Sequence, residues 1–362
     1  MGPVLVINAG SSSIKLAVFT PALVLVLAAS VTRIGGDACL TIGGEARPVV
    51  AGDHRAALGV LLAALAQRGT GVADLAAVGH RVVHGGENLI APCRITAATI
   101  AEIRACARLA PLHNPHNLAA IEALAALAPA LPQCASFDTA FHATNPDVAT
   151  RFALPDVPAA QGLRRYGFHG LSYASLIRAL PRQSAQPLPR RLLAYHLGNG
   201  ASACAIVNGH SLCTTMGYSP LDGLTMGTRV GSIDPEAVLT LAERIGIAAT
   251  RALLTHEAGL RGLSGGVSDM QVLLNDHSEK ARGAVDHFCH WAIRHGGGLI
   301  AAMGGVDAVA FTGGIGEHAA PVRNRIAAGL AFAGAKVWVV PAEEEHQIAR
   351  DTAGLIAQGR MN

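Results

Sequence analysis

Charged and aromatic side chains are both scarce in this chain. Asp, Glu, Lys and Arg together make up 15% of the 362 residues, aromatic residues make up 4%, and the formal net charge is only +3. No run of Lys or Arg exceeds two residues. The sequence therefore lacks the basic patch with which proteins bind nucleic acid or anionic membranes, and we expect neither partner.

Long apolar runs and paired cysteine motifs are also missing. The longest early apolar stretch, residues 22–29, is far shorter than the roughly 20 residues that cross a bilayer. Polar residues precede it instead of a charged leader, so we expect no export signal. The seven cysteines show no CxxC spacing, which favours reduced thiols in a cytoplasmic protein.

Hydrophobic residues, by contrast, make up 51% of the chain, which predicts a globular protein with little disorder. A length of 362 residues exceeds one typical core, so two domains are expected. Segments typical of strands, such as residues 30–34 and 76–80, alternate with segments typical of helices, such as residues 96–109 and 116–127. The proline-flanked segment 111–115 is expected to separate these two helices. This alternation predicts an α/β fold.

One small unit occurs twice, in residues 4–18 and 192–206. Each copy is an apolar run, a polar turn of Gly, Asn and Ser, and a second apolar run, which predicts a β-hairpin. Gly10 and Gly200 permit a tight turn and leave space for a ligand. A single hairpin of this kind is also consistent with a structural role. Two copies predict a duplicated fold with a phosphate-holding turn in each half.

Several further residues are candidates for a site, each with a structural alternative. The loop Gly313–His318 joins a buried strand to a helix, so it suits a nucleotide or is a plain turn. Arg81 and Arg229 lie in glycine-bearing loops and suit anions, or are solvated. Asp138 ends an apolar strand, where ligand-binding carboxylates and helix caps both occur. His169 is a candidate donor or a packing residue.

Eight segments, in order along the chain, resemble motifs of the acetate kinase family, within the acetate and sugar kinase/Hsp70/actin superfamily. They are residues 6–15, 79–86, 110–115, 137–142, 165–170, 196–200, 226–229 with 231–235, and 312–317. The resemblance implies two duplicated ribonuclease H-like (actin-like ATPase) α/β domains with an active-site cleft between them. It places residues 1–140 with 345–362 in the first domain and residues 141–344 in the second, which would carry most of the nucleotide site. A homodimer is also implied.

The family's reaction is the reversible, in-line transfer of the ATP γ-phosphoryl group to acetate, which gives acetyl phosphate and ADP. The resemblance implies four catalytic residues: Arg81, Asp138, His169 and Arg229. The acceptor would bind to Arg81 and to an apolar methyl pocket of Val83, Leu112, Phe168 and Pro220. The family's Mg²⁺, for which Mn²⁺ substitutes, would bind at Asn8 and Glu344. The nucleotide would contact Ser11, Ser13, Lys15, His196, Leu197, Gly198, Asn199, Gly200, Asp269, Met270, Gln271, Gly314, Ile315, Gly316, Glu317 and His318.

The residues fit this chemistry, with two departures. A short-chain carboxylate is ionised at pH 7, so its attack needs no general base. The obstacle to the transfer is the repulsion between two anions. Arginines, a histidine donor and Mg²⁺ would offset that repulsion. Gln271 and His318 replace the usual Arg and Asn of the family, which affects the adenosine side. A propionate kinase, an ATP-driven chaperone or filament protein, and a sugar kinase are the alternatives, and the apolar acceptor pocket argues against the sugar kinase.

Overall fold

The computed structural model describes residues 2–361. Its strands are β1 (Val4–Ala9), β2 (Ser13–Phe19), β3 (Leu25–Thr32), β4 (Cys39–Ile42), β5 (Glu45–Pro48), β6 (Ala77–Val82), β7 (Cys93–Arg94), β8 (Gln133–Phe137), β9 (Arg191–Leu197), β10 (Ala201–Val207), β11 (His210–Thr214), β12 (Ala308–Thr312) and β13 (Lys336–Val339). Its helices are α1 (His54–Gln67), α2 (Ala97–Ala105), α3 (Asn114–Leu127), α4 (Asp147–Thr150), α5 (Gly170–Ser184), α6 (Pro235–Ile245), α7 (Ile247–Ala252), α8 (Gly259–Ser264), α9 (Met270–Asn275), α10 (Glu279–Ala302), α11 (Gly313–His318), α12 (Ala320–Gly329) and α13 (Glu344–Ala357).

The chain forms two compact units. Unit 1 comprises the residues up to Phe141 together with those from Glu343 onward, and unit 2 runs from His142 to Ala342. Each unit contains one sheet. The sheet of unit 1 has the strand order β5-β4-β3-β2-β1-β6-β8-β7, and that of unit 2 has the order β11-β10-β9-β12-β13.

The two sheets share a five-stranded pattern. In unit 1, β3, β2 and β1 are antiparallel neighbours, and β6 and β8 follow in parallel. In unit 2, β11, β10 and β9 are antiparallel neighbours, and β12 and β13 follow in parallel. The same order and the same directions, built around the two predicted hairpins, confirm the predicted duplication.

Alternating apolar residues bury both faces of the unit 1 sheet. On one face Leu5 and Ile7 of β1 share a core with residues of α1 and α3 such as Leu61 and Leu124. On the other face Leu355 of α13 packs with Ala77 and Cys134. The near-continuous apolar sequence of β1 is thus explained, because a strand covered on both sides must bury every side chain.

Gly79 of β6 is required by the close approach of α13. A methyl group at this position would lie 2.3 Å from Thr352 Oγ1 and 2.7 Å from Ile348 Cγ2. The helix therefore packs directly on the strand backbone.

Three element boundaries differ from those expected from the sequence. A first strand after the hairpin was expected at residues 30–34, but β3 begins at Leu25, because residues 25–32 pair with β2. Arg81 was placed in a loop, yet β6 runs to Val82. Residues 111–115 separate two helices as expected, but α3 already begins at Asn114, so Pro115 lies in its first turn, where a missing N–H costs no hydrogen bond. Within residues 2–361, no helix combines the length and apolarity of a membrane span.

Candidate active site

Arg81 and Asp138 meet at the carboxyl-terminal edge of the unit 1 sheet. The parallel strands β6 and β8 end side by side, so residues at their ends are neighbours. Arg81 Nη2 donates to Asp138 Oδ2 at 2.7 Å, and Arg81 Nε donates to the same oxygen at 3.2 Å. Glu344, at the start of α13, places Oε2 3.4 Å from Arg81 Nη1. One guanidinium is thus held by two carboxylates.

The electrostatics of this group keep Arg81 and Asp138 charged at neutral pH. Burial opposes the charge of Arg81, but Asp138 and Glu344 outweigh that effect and raise its pKa. Burial raises the pKa of Asp138 to about 6, while Arg81 acts in the opposite direction. Asp138 therefore remains ionised at neutral pH.

Arg81 retains capacity to bind an anion. A guanidinium has five N–H donors. Asp138 accepts two of them, and Glu344 faces a third. The contacts within the described part of the chain thus leave two donors for a substrate carboxylate or phosphoryl oxygen.

The segment after β6 is fixed by a buried amide. Asn117 of α3 accepts from the Val83 N–H at 3.1 Å and donates to the Ala9 carbonyl at 2.8 Å. This bridge ties the Val83 backbone to the end of β1. Val83 is 8% exposed, whereas Leu112, in the turn before α3, is 36% exposed. Val83 and Leu112, two of the four predicted pocket residues, thus lie in unit 1. Helix α3 anchors the segment that contains Val83, and the turn that contains Leu112 leads into α3.

The first hairpin presents polar groups at its tip. Asn8 and Lys15 are direct partners across β1 and β2, and Ser11 is exposed in the turn. The turn is held by a hydrogen bond between His54 Nε2 and the Gly10 carbonyl, 2.7 Å apart. The tip is therefore anchored by α1, while its hydroxyl, amide and amine groups face outward. Ser13, the first residue of β2, is partly exposed.

In unit 2, two predicted catalytic residues converge at Gly200 in the second hairpin. A methyl group on Gly200 would lie 3.2 Å from His169 Nε2 and 3.4 Å from Arg229 Nη1. The imidazole rings of His169 and His196 stack, with centroids 4.1 Å apart. Arg229 Nη1 donates to the Pro220 carbonyl at 3.2 Å. The Nε2 atom of His169 and the guanidinium of Arg229 therefore face the same turn.

His169 itself occupies an unusual backbone conformation. It precedes α5 with φ 59° and ψ 22°, in the left-handed region. Such a conformation in a residue other than glycine costs about 1 kcal/mol and persists where the surroundings enforce it. The neighbouring Phe168 is only 1% exposed, and its carbonyl lies 2.9 Å from His142 Nε2. The buried Phe168 thus fixes the backbone from which His169 projects.

A cavity of about 660 Å³ opens beside this turn in unit 2. Three segments that are distant in sequence line it, and each contains predicted nucleotide residues. The lining residues are Gly198, Asn199, Ser268, Asp269, Met270, Gln271, Leu274, Asn275, Gly314, Ile315, His318, Ala319 and Pro321. A cavity of this size, with glycine backbone on one side, has the dimensions of a small-molecule site.

Eight predicted nucleotide residues do not line this cavity. Ser11, Ser13 and Lys15 belong to unit 1, His196 and Gly200 lie at the adjacent turn, and the other three are Leu197, Gly316 and Glu317. The Leu197 side chain is fully buried, and Gly316 packs toward it. Glu317 Oε1 accepts from the N–H groups of Gly313 at 3.0 Å and Ala342 at 2.9 Å. Residues 313–318, expected to be a loop, form the short helix α11, and Leu197, Gly316 and Glu317 support it from within. A buried strand end and a short helix need their backbone donors satisfied.

Other lining residues escaped the sequence prediction. Leu274 and Asn275 lie three and four positions after Gln271 on α9. Residues at that spacing share one face of a helix, so the position of Gln271 could have indicated that they line the same site. Asp269 begins that helix, and its Oδ1 accepts from the N–H groups of Gln271 at 2.7 Å and Val272 at 3.1 Å. Its carboxylate is thus a helix cap as well as part of the wall.

Comparison with known proteins assigns a family to this geometry. The profile of the acetokinase family matches residues 3–356. An acetate kinase of Rhodopseudomonas palustris is 46% identical, over 79% of this chain and 78% of that protein. The crystal structure of Porphyromonas gingivalis acetate kinase superposes with a TM-score of 0.90 at 33% identity, over 98% of this chain and 100% of that one. A propionate kinase from Francisella tularensis gives 0.91 at 30% identity, over 97% and 99%. The fold class expected from the sequence is thereby confirmed.

Proposed function

Because this chain belongs to the acetokinase family and transfers a phosphoryl group reversibly between ATP and acetate, we propose which of its residues carry the reaction. Unit 1 binds the acceptor, with Arg81 holding its carboxylate. Unit 2 binds the nucleotide in the cavity beside Asn199. Arg229 and the Nε2 of His169 bind the transferring phosphoryl group. The convergence of these last two groups at Gly200, next to the cavity, is the observation that carries this proposal.

The mechanism is a direct in-line transfer. The acceptor carboxylate is already ionised, so Asp138 does not act as a base toward it. Asp138 instead binds one edge of the Arg81 guanidinium. This contact directs the remaining N–H donors of the guanidinium at the acceptor. Arg229 and His169 donate to the equatorial oxygens, where negative charge lies in the transition state. Each group is held before the substrate arrives, so little reorganisation accompanies the reaction.

A magnesium ion fits the donor set of unit 1. Asn8 and Glu344 offer an amide and a carboxylate oxygen, the hard ligands that Mg²⁺ prefers. Within residues 2–361 no group of three His, Cys, Asp or Glu side chains is arranged to hold a metal. That sparseness suits Mg²⁺, which keeps several waters and binds through one or two side chains plus phosphates. When bound, the ion would neutralise charge on the ATP phosphates.

The methyl pocket sets the acceptor range. We propose that Val83 and Leu112 of unit 1 contact the acceptor's alkyl group, that Phe168 and Pro220 contribute as further apolar residues, and that acetate is preferred. One added methylene alters binding in such a pocket by about 1–3 kcal/mol. A hydroxamate assay with acetate, propionate and butyrate should therefore give a kcat/KM for propionate roughly 10–200-fold lower. Butyrate should be poorer still.

A pair of variants sharpens this test. Val83→Ala should narrow the difference between acetate and propionate, because it enlarges the pocket. Val82→Ala makes the same change one residue earlier, at a side chain that packs in the core with Ile103 and Phe137, and should leave the ratio unchanged. Equal efficiency for acetate and butyrate in the unmodified enzyme would refute the small pocket. A preference for propionate would place the chain with the propionate kinase that it resembles.

We propose further that the enzyme is a cytoplasmic homodimer. All seven cysteines are free thiols, which supports a reducing compartment. Helix α6 has an apolar side yet no buried residue, and Leu239 and Ile245 are 56% and 45% exposed. An amphipathic helix without an internal partner is suited to contact a second copy.

A charge on α6 should separate the subunits. Leu239→Arg is expected to change a dimer to a monomer in light scattering at micromolar concentration, because a buried guanidinium would lack a partner. Phe332→Arg is the control, since Phe332 is 75% exposed elsewhere on unit 2. An unmodified protein that is monomeric, or a Leu239→Arg variant that remains dimeric, would rule out this interface.

A further inference from the structure

A hydrogen-bonded chain of two buried hydroxyls lies behind His169. Ser202 Oγ is 2.9 Å from His169 Nδ1, and Tyr173 Oη is 2.5 Å from the same Ser202 Oγ. Tyr173 lies one helical turn after His169, and its N–H donates to the His169 carbonyl at 3.1 Å. Tyr173 and Ser202 are both 0% exposed. The chain thus ends on the ring nitrogen that points away from Gly200.

The phenol of Tyr173 and the hydroxyl of Ser202 each have one proton to place. Burial raises the pKa of Tyr173 well above its ordinary value, so the phenol is neutral and can donate. When the Tyr173 proton goes to Ser202 Oγ, the Ser202 proton goes to His169 Nδ1. The proposed role of His169 as a donor to the phosphoryl group requires this direction.

A neutral imidazole carries one proton, so an accepting Nδ1 requires the proton on Nε2. Nε2 is the atom that lies 3.2 Å from the position of a methyl group on Gly200, near Arg229. A donor is what a transferring phosphoryl oxygen needs at that place.

We propose that Tyr173 is a positioning residue, which acts through Ser202 to hold His169 in the neutral form that donates from Nε2. This inference rests on the proposed role of His169 in phosphoryl transfer. Neither hydroxyl touches the substrate. They fix which nitrogen carries the proton and the rotation of the ring.

Tyr173→Phe removes only the last hydroxyl of the chain. We expect kcat to fall about tenfold, at the lower end of the roughly 10–100-fold found for outer hydrogen-bond partners of functional histidines in metal sites. KM for ATP and acetate should stay within about twofold, because ground-state binding is untouched. Tyr195→Phe is the matched control, since Tyr195 is equally buried and donates to the Ala292 carbonyl at 2.9 Å, away from His169.

Nitrogen NMR of histidine-labelled protein reads the proton position directly. The His169 signals are identified by their loss in His169→Gln. They should show a protonated Nε2 in the unmodified enzyme and a mixture of tautomers in Tyr173→Phe. An unchanged His169 signal in Tyr173→Phe would overturn the inference, as would an unchanged kcat.

Ser202→Ala tests the same chain without altering α5, should Tyr173→Phe fail to fold. If Tyr173 acts through Ser202, the double variant should turn over no more slowly than Ser202→Ala alone. Additive losses would overturn the inference. His169→Gln separates the two levels of argument: full turnover in that variant refutes the proposed role of His169, whereas a slow His169→Gln beside a normal Tyr173→Phe refutes only the positioning role.

Discussion

Arg81→Ala and Arg229→Ala should each lower kcat by about 10³-fold or more, while the far-ultraviolet circular dichroism spectrum is retained. Arginines that contact a transferring phosphoryl group are worth roughly 10³–10⁵ in rate. Here two anions must approach each other, so loss of either positive charge raises the barrier directly. Coupled measurement of acyl phosphate and ADP, with each substrate varied, gives kcat and KM for both variants.

The two arginines should differ in their kinetic signatures. Arg81→Ala is expected to raise KM for acetate as well, because the acceptor carboxylate loses the guanidinium that is proposed to bind it. Arg229→Ala should act mainly on kcat. Arg81→Lys should recover little, since an ammonium cannot contact Asp138 and the acceptor in the planar geometry of a guanidinium.

Arg191→Ala provides the control for these variants. Arg191 pairs with Asp307 at 2.6 Å, and both side chains are at least a third exposed. Loss of this pair should leave turnover unchanged. Turnover near that of the unmodified enzyme in Arg81→Ala or Arg229→Ala would refute the assignment of that arginine.

Asp138→Ala is expected to destabilise unit 1 by about 3–5 kcal/mol, the usual cost of removing one partner from a buried ion pair. The Asp138 side chain is 2% exposed, and Arg81 would be left with Glu344 as its described carboxylate contact. Turnover should also fall by orders of magnitude, because the guanidinium loses its bidentate support. Asp138→Asn keeps the shape and isolates the loss of charge.

Urea unfolding followed by circular dichroism measures this change. Both tryptophans, Trp291 and Trp338, lie in unit 2, so tryptophan fluorescence would not report on unit 1. Glu122→Ala removes the ion pair with Arg104 in unit 1, in which both side chains are at least half exposed, and should cost no more than about 1 kcal/mol. An unfolding midpoint for Asp138→Ala equal to that of the unmodified protein would show that Arg81 does not depend on this carboxylate.

The sequence predicted the parts of the fold that rest on local pattern. The two hairpins, the α/β alternation and most strands and helices follow from apolar periodicity and turn residues. The ends of elements were predicted less accurately, as β3 and β6 show. Pairing with a neighbouring strand extends a strand beyond the residues whose apolar pattern marks it. The family resemblance supplied the site residues, and the structure brings Arg81 to Asp138 and His169 to Arg229.

Contacts between distant segments were beyond the sequence. The chain from Tyr173 through Ser202 to His169 joins a helix to a strand about 30 residues away, and no spacing rule encodes it. Likewise Glu317 resembles a ligand-binding residue by its motif, yet its carboxylate accepts from the backbone N–H groups of Gly313 and Ala342. Only the packed structure distinguishes a side chain that faces a cavity from one that supports its wall.

The placement of α13 has a consequence for biosynthesis. Unit 2 is continuous in sequence, whereas unit 1 needs α13, which leaves the ribosome after all of unit 2. Until then the β6 surface around Gly79 lacks Ile348 and Thr352, and Arg81 lacks Glu344. Unit 2 can thus complete its core first. Until α13 is synthesised, the sheet face of unit 1 on which α13 packs stays uncovered. A nascent chain held before residue 343 should expose that face to chaperones and should have no kinase activity.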